Sequence, residues 1–366
     1  KGSAFVLYGS HSHQDRKTAS LLCAHGIEIE VTVAGASAGY SVAMIGDFNG
    51  DGLADVAIGA PNQGEDTRED CGWVYVVFGR DTDCAGNRRR LLRGRWRPGG
   101  TRPGSGGSSG STTEAPKITL PEDLDGTNGL QLVGYDSIGH AGFSVSAAGD
   151  VDGDGYADLI VGAYDAASAG VTSSGESYVV YGGQNLGTRL DLGDLADGDG
   201  SQGFVIRGAE AGDWSGFSVS GGSDFDNDGL ADVIVGAPHS NVEGPWSGAA
   251  FVVYGSADRS SRVVVELGDL GAYQGVVING MAAGDQAGLA VAGGIVNVGV
   301  TFPEIEGGDF NHDGYDDWLI GVPYSDADVN TADTGSTYIV WGQQGVIFDK
   351  FIYKYWDYYT FYDSDP

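Results

Sequence analysis

Four times along the chain a tight acidic run turns abruptly apolar: GDFNGDGLADVAIGAP from Gly46, GDVDGDGYADLIVGAY from Gly149, SDFDNDGLADVIVGAP from Ser223 and GDFNHDGYDDWLIGVP from Gly308. A second signature follows each at a nearly fixed distance: VYVVFG ending at Gly79, SYVVYG at Gly182, AFVVYG at Gly255 and TYIVWG at Gly342. A fifth copy, AFVLYG, ends at Gly9. Self-similarity at tens of residues restricts the fold to a propeller, a solenoid or an array. The intervals between these glycines are 70, 103, 73 and 87 residues, so the unit is about 70 residues long and two units carry insertions. The chain is accordingly expected to open part-way through a repeat.

The apolar runs are short, β-branched or aromatic, and bounded by Gly, Asp, Asn and Ser. That is strand-and-turn punctuation, and with 64 glycines it predicts an all-β protein. Fifty-one acidic against 19 basic residues give a net charge of −32. Nucleic acid, which needs a lysine and arginine footprint, is excluded as a partner, and so is an anionic membrane surface. No apolar run approaches the roughly 20 residues of a membrane span. Eight of the positive residues, Arg80, Arg88, Arg89, Arg90, Arg93, Arg95, Arg97 and Arg102, are confined to one stretch. It lies in the 103-residue interval, and its Gly/Ser-rich composition reads as an insertion at the edge of a repeat. Three cysteines, Cys23, Cys71 and Cys84, allow at most one internal disulfide.

Carboxylates this close raise one another's pKa and disfavour the loop that holds them, so a cation is expected among them. The pattern in each copy is Asp-x-Asp/Asn-x-Asp-Gly-x-x-Asp. The predicted ligands are Asp47, Asn49, Asp51 and Asp55; Asp150, Asp152, Asp154 and Asp158; Asp224, Asp226, Asp228 and Asp232; and Asp309, Asn311, Asp313 and Asp317. Alternate side chains converge if the chain turns tightly, which the glycine at position 6 permits. The backbone carbonyls of Leu53, Tyr156, Leu230 and Tyr315 are expected to add a further oxygen. Oxygen-only ligands at this density suit a hard cation, with Ca²⁺ preferred over Mg²⁺, at about four ions per chain. An EF-hand starts in the same way but needs a glutamate at position 12 and flanking helices. Position 12 here is Ile58, Val161, Val235 and Ile320, each inside an apolar run, so each acidic loop is predicted to close a β-hairpin instead.

The stretches AGYSV…DFNGDGLADVAIGAP, AGFSV…DVDGDGYADLIVGAY, SGFSV…DFDNDGLADVIVGAP and AGLAV…DFNHDGYDDWLIGVP resemble the FG-GAP repeats of integrin α-subunit β-propellers. The resemblance runs from Ala4 to Gly342, apart from the arginine-rich insert. It implies four-stranded antiparallel blades, with each calcium loop joining the first two strands of a blade. The resulting division gives the end of one blade at 1–9, repeat units at 10–79, 117–182, 183–255 and 256–342, an insert at 80–116 and an aromatic tail at 343–366. Integrin-type propellers have seven blades, and seven units of about 70 residues exceed 366. Either further blades or another chain complete the ring, or the chain's own ends close a smaller one. Tyr40, Phe143, Phe217 and Leu289 hold the phenylalanine position of the motif and, with the valines two residues on, are expected to pack between blades.

The sequence contains no HExxH, GxSxG, P-loop or CxxC motif, and its six histidines have no recognised zinc spacing. A non-enzymatic chain is expected. The resemblance implies an extracellular or cell-surface module that binds other proteins or assembles with them in adhesion. The alternative is a carbohydrate-binding propeller, in which Trp214, Trp246 or Trp318 would stack on glycans.

Overall fold

The computed structural model describes residues 2–7, 26–65, 67–80, 117–168, 170–293, 308–326 and 334–342. Cys23, Cys84, the insert's arginines from Arg88 to Arg102 and the tail at 343–366 lie outside these. The described residues form five sheets, with strands numbered here in chain order. The first sheet holds β1 (Gly2–Leu7), β2 (Gly26–Val31) and β6 (Lys117–Leu120). The second holds β3 (Val42–Gly46), β4 (Asp55–Ala60), β5 (Trp73–Val77), β7 (Gly129–Val133) and β11 (Arg189–Asp191). In the third are β8 (Ser144–Gly149), β9 (Asp158–Ala163), β10 (Glu176–Val180), β12 (Gly203–Arg207) and β16 (Val264–Glu266). The fourth contains β13 (Ser218–Ser223), β14 (Asp232–Ala237), β15 (Ala249–Val253) and β17 (Gly275–Asn279), and the fifth β18 (Ala290–Ala292), β19 (Trp318–Val322) and β20 (Ser336–Val340).

The second, third and fourth sheets each contain the four antiparallel strands that the repeat implied. Three sheets depart from that expectation by an additional outer strand. β6, β11 and β16 each leave the connection between the third and fourth strands of the following sheet and pair in parallel with the outer edge of the preceding one. Each repeat thereby covers its neighbour's exposed edge, a common protection for an edge strand.

The sheets stack because their strands are apolar on both faces. β9 (DLIVGA) and β14 (DVIVGA) are buried along their whole length, as strands sandwiched between two layers must be. One apolar cluster fills each gap. Tyr75 and Ile29 sit between the first and second sheets, and Val74 and Tyr178 between the second and third. Phe204 and Val235 lie between the third and fourth, and Ile234 and Trp318 between the fourth and fifth. The innermost strands touch in succession, β3 on β8, β8 on β13 and β13 on β18, in an open series consistent with a β-propeller.

The glycine in each GAP or GAY triplet is required by this stacking. Gly59, Gly162 and Gly236 accept hydrogen bonds from Gly39, Gly142 and Gly216 of their own repeats. A Cβ on any of the three would strike the carbonyl of Gly142, Gly216 or Gly288 in the next repeat. Cys71 is buried and free, its thiol pKa pushed up by burial.

Candidate functional site: the acidic hairpin loops

Each acidic run closes the hairpin between the first two strands of a sheet, at 47–54, 150–157, 224–231 and 309–316. The loops fold alike because position 1 organises the backbone. Asp47 accepts the amides of Asp51 (2.9 Å) and Gly52 (2.8 Å), one on each carboxylate oxygen. Asp150, Asp224 and Asp309 accept the matching pair at 2.9 to 3.0 Å. Position 5 accepts the amide of position 7 in all four copies. The invariant turn glycines Gly52, Gly155, Gly229 and Gly314 have φ of 87°, 89°, 92° and 90° with open space around them. Conformation, not room, is what demands glycine there. Position 4 is also left-handed in every copy, through Gly50, Gly153, Asn227 and His312, which makes His312 a turn residue.

Position 9 does something the spacing did not reveal. Asp55, Asp158, Asp232 and Asp317 are buried. One oxygen of each accepts the amide of position 2, from Phe48, Val151, Phe225 and Phe310, at 2.7 to 2.8 Å. The other accepts the amide of the glycine ending the second signature, from Gly79, Gly182, Gly255 and Gly342, at 2.7 to 3.0 Å. This carboxylate bridges the two signatures, which accounts for their nearly fixed spacing of 23 to 25 residues.

In the second and third loops the carboxylates of positions 1, 3 and 9 converge, and those of position 5, Asp154 and Asp228, are not part of the group. Ligand oxygens of Asp150, Asp152 and Asp158 lie within 4.8 Å of one another, as do those of Asp224, Asp226 and Asp232. The first and fourth loops repeat the backbone pattern with Asn49 and Asn311 at position 3, each donating to the position-5 carboxylate, Asp51 or Asp313. Leu53, Tyr156, Leu230 and Tyr315 stand where their amides close the turn. Burial drives Asp158 and Asp232 up to about 8 and Asp55 to about 6, against the lowering effect of their backbone donors. Asp152, Asp224 and Asp226 are raised by the same cause. Oδ1 of Asp226 is buried without a hydrogen-bond partner. Orphaned oxygens among like charges are a donor set for a hard, oxygen-preferring cation, so the residues present fit one.

At the opposite end of the inner strands lies an aromatic row, in which Tyr40, Phe143 and Phe217 were expected to pack between blades and Trp214 and Trp246 were the alternative reading's glycan contacts. Tyr40, Phe143 and Phe217, from successive repeats, have centroids 4.8 and 4.9 Å apart. Tyr164 meets Phe143 at 4.5 Å, and Trp214 stacks on Phe217 and on His239, which in turn stacks on Trp246. The row is part-exposed, Tyr40 at 58% and Trp246 at 55%. Of the valines expected between blades, Val145 and Val219 are buried whereas Val42 is 60% exposed. Trp318 is fully buried and cannot meet a sugar. The signal that could have placed it was its alignment with Val56, Leu159 and Val233, apolar in each repeat.

A family model for the FG-GAP repeat matches residues 38–76, 141–180, 215–253 and 304–340. Among curated proteins, integrin alpha pat-2 of Caenorhabditis elegans is 30% identical over 232 residues, covering 54% of this chain and 18% of its own length. Integrin alpha-PS2 of Drosophila melanogaster is 29% identical over 208 residues, 56% of this chain and 12% of its own. A phosphatidylinositol-glycan-specific phospholipase D of Dictyostelium discoideum is 26% identical over 227 residues, 62% and 21%. The chain thus spans about a fifth or less of these relatives.

Proposed function

We propose, the chain being an FG-GAP repeat protein, that it is a calcium-stabilised, integrin-like propeller module without catalytic activity of its own, displayed outside the cell, where it binds or assembles with other protein chains. The convergence of carboxylates in the second and third hairpin loops carries this reading. In it, each loop holds one Ca²⁺ through positions 1, 3, 5 and 9 and the carbonyl of position 7. The sets are Asp47, Asn49, Asp51, Leu53 and Asp55; Asp150, Asp152, Asp154, Tyr156 and Asp158; Asp224, Asp226, Asp228, Leu230 and Asp232; and Asp309, Asn311, Asp313, Tyr315 and Asp317. The ions neutralise the loops at one end of the sheets and leave the other end, with its part-exposed aromatic row, to meet a partner. Aromatic side chains supply large contact area at low entropic cost, which suits such a surface.

The integrin α relatives support the adhesion reading, whereas the phospholipase relative, 26% identical, is itself named as an enzyme. The second reading, a glycan-binding module, draws on the stack of Trp214, His239 and Trp246. Two measurements test the proposal. Calcium uptake by calorimetry, together with labelling of intact cells by a membrane-impermeant reagent, should both be positive; a folded protein that takes up no calcium, or one shielded inside the cell, refutes it. Glycan-array binding lost in Trp246→Ala would favour the second reading instead.

A further inference from the structure

The four loops are not electrostatically equal. In the second loop nearly every carboxylate oxygen is engaged by the backbone: both of Asp150, both of Asp158, Oδ1 of Asp152 and Oδ1 of Asp154. Two accept no backbone amide, Oδ2 of Asp152 and Oδ2 of Asp154. Nη2 of Arg259 lies 2.6 Å from each. The arginine is seated rather than draped, because its guanidinium lies 5.0 Å over the ring of Tyr181 and Asp152 is buried beneath it.

Among the described residues no such cation is paired with the neighbouring loops. The connection carrying Arg259 docks on the second loop through Ser256 N to Val151 O (2.8 Å), and the equivalent connection docks on the first loop through Gly183 N to Phe48 O (2.7 Å). Three residues further on stands Arg259 in one case and Leu186, packed against the apolar core, in the other. Among the described residues no lysine or arginine forms an ion pair with the first, third or fourth loop.

We infer that Arg259 is a built-in competitor for the cation at the second loop, holding two of the oxygens that the calcium reading gives to the ion. The inference rests on the calcium reading above. An entering ion has to displace the guanidinium, so this loop binds more weakly than the third, whose carboxylates form no ion pair among the described residues, the buried Arg262 acting on Asp228 and Asp232 only through its field. Displacement also frees the 3₁₀ turn Arg259–Ser261, which leads directly into β16, the parallel strand on the outer edge of the third sheet. Occupancy of the second loop is therefore coupled to the seam between the third and fourth repeats, whereas occupancy of the others is not.

The test is a calorimetric Ca²⁺ titration of the full chain and of Arg259→Gln, with amide exchange followed across 259–266. In Arg259→Gln one site should tighten about five- to tenfold, the scale of a partly exposed charge pair, while the other sites keep their affinities. Arg259→Lys, which keeps the charge but not the fork, should fall between the two. In the wild type, calcium should speed exchange over 259–266; in Arg259→Gln exchange there should already be fast in chelator. Superimposable isotherms for wild type and Arg259→Gln, or a weaker site in the variant, overturn the inference and leave the calcium reading standing. A folded wild type that takes up no calcium overturns both.

Discussion

Replacing Asp232 with alanine removes a carboxylate that has two separable duties, and the structure says how large each one is. Its oxygens accept the amides of Phe225 at 2.7 Å and Gly255 at 2.8 Å, both in the interior. A buried donor left without a partner costs about 1–3 kcal/mol, so two cost about 2–6 kcal/mol. That is a large part of a typical net stability of about 5–15 kcal/mol. The loss requires no metal and should be present in excess chelator. Asp228, at position 5 of the same loop, is exposed, and its one backbone bond, from Leu230, is worth about 0.5 kcal/mol. Asp228→Ala should therefore be nearly silent in chelator. In calcium at a hundred times the dissociation constant it should lose the mass-action term of about 2.7 kcal/mol. Urea unfolding of wild type and both variants, in millimolar calcium and again in chelator, gives the four differences needed. If Asp232→Ala matches wild type in chelator, the bridge between the two signatures is not stabilising. If Asp228→Ala loses the same amount in both buffers, the third loop holds no cation.

Three further outcomes are expected. Chelator should lower the thermal midpoint of the wild type, as read by circular dichroism at fixed pH and ionic strength; an unchanged midpoint would remove the ions from the stability of the fold. Gly162→Ala, which drives a methyl group into the Gly216 carbonyl of the next repeat, should cost about 1–3 kcal/mol in urea unfolding and shift the midpoint in both buffers. Asp213 is buried, with Oδ1 unpartnered, and burial raises it to about 6. The folded state therefore holds its proton more tightly than the unfolded chain does, so stability is full below about pH 4 and falls as pH rises through 6, by up to about 3 kcal/mol. Asp213→Asn, which can still accept the Glu210 amide, should flatten that slope between pH 4 and 7; an unaltered slope would place the titration elsewhere.

The acidic hairpins were legible because metal ligation and a left-handed turn both require particular residue types at set intervals. Asp150, Asp152 and Gly155 do work that few other residues can do. The second half of position 9 was visible only as an unexplained constancy, the spacing of Asp158 from Gly182, since a hydrogen bond to a backbone amide leaves no trace in the partner's side chain. The added strands were not legible at all. RLD, VVE and KITL are too short to show a period, and their pairing is set by where the next repeat docks. Arg259 was equally invisible, one of two arginines flanking a pair of serines, and acquires meaning only from the two oxygens it meets. Trp318 was misjudged for the opposite reason: an aromatic beside an acidic loop resembles a sugar platform until the neighbouring sheet is in place.

The lent strands also bear on how the chain can be made. β7 is finished at Val133, but β11, which covers its outer edge, begins only at Arg189, about 56 residues later. At ribosomal rates of about 5–20 residues per second, the second sheet leaves synthesis with a bare edge for about 3–11 s. For that interval the nascent protein offers any passing strand a row of open backbone donors and acceptors, until the next repeat emerges to close them.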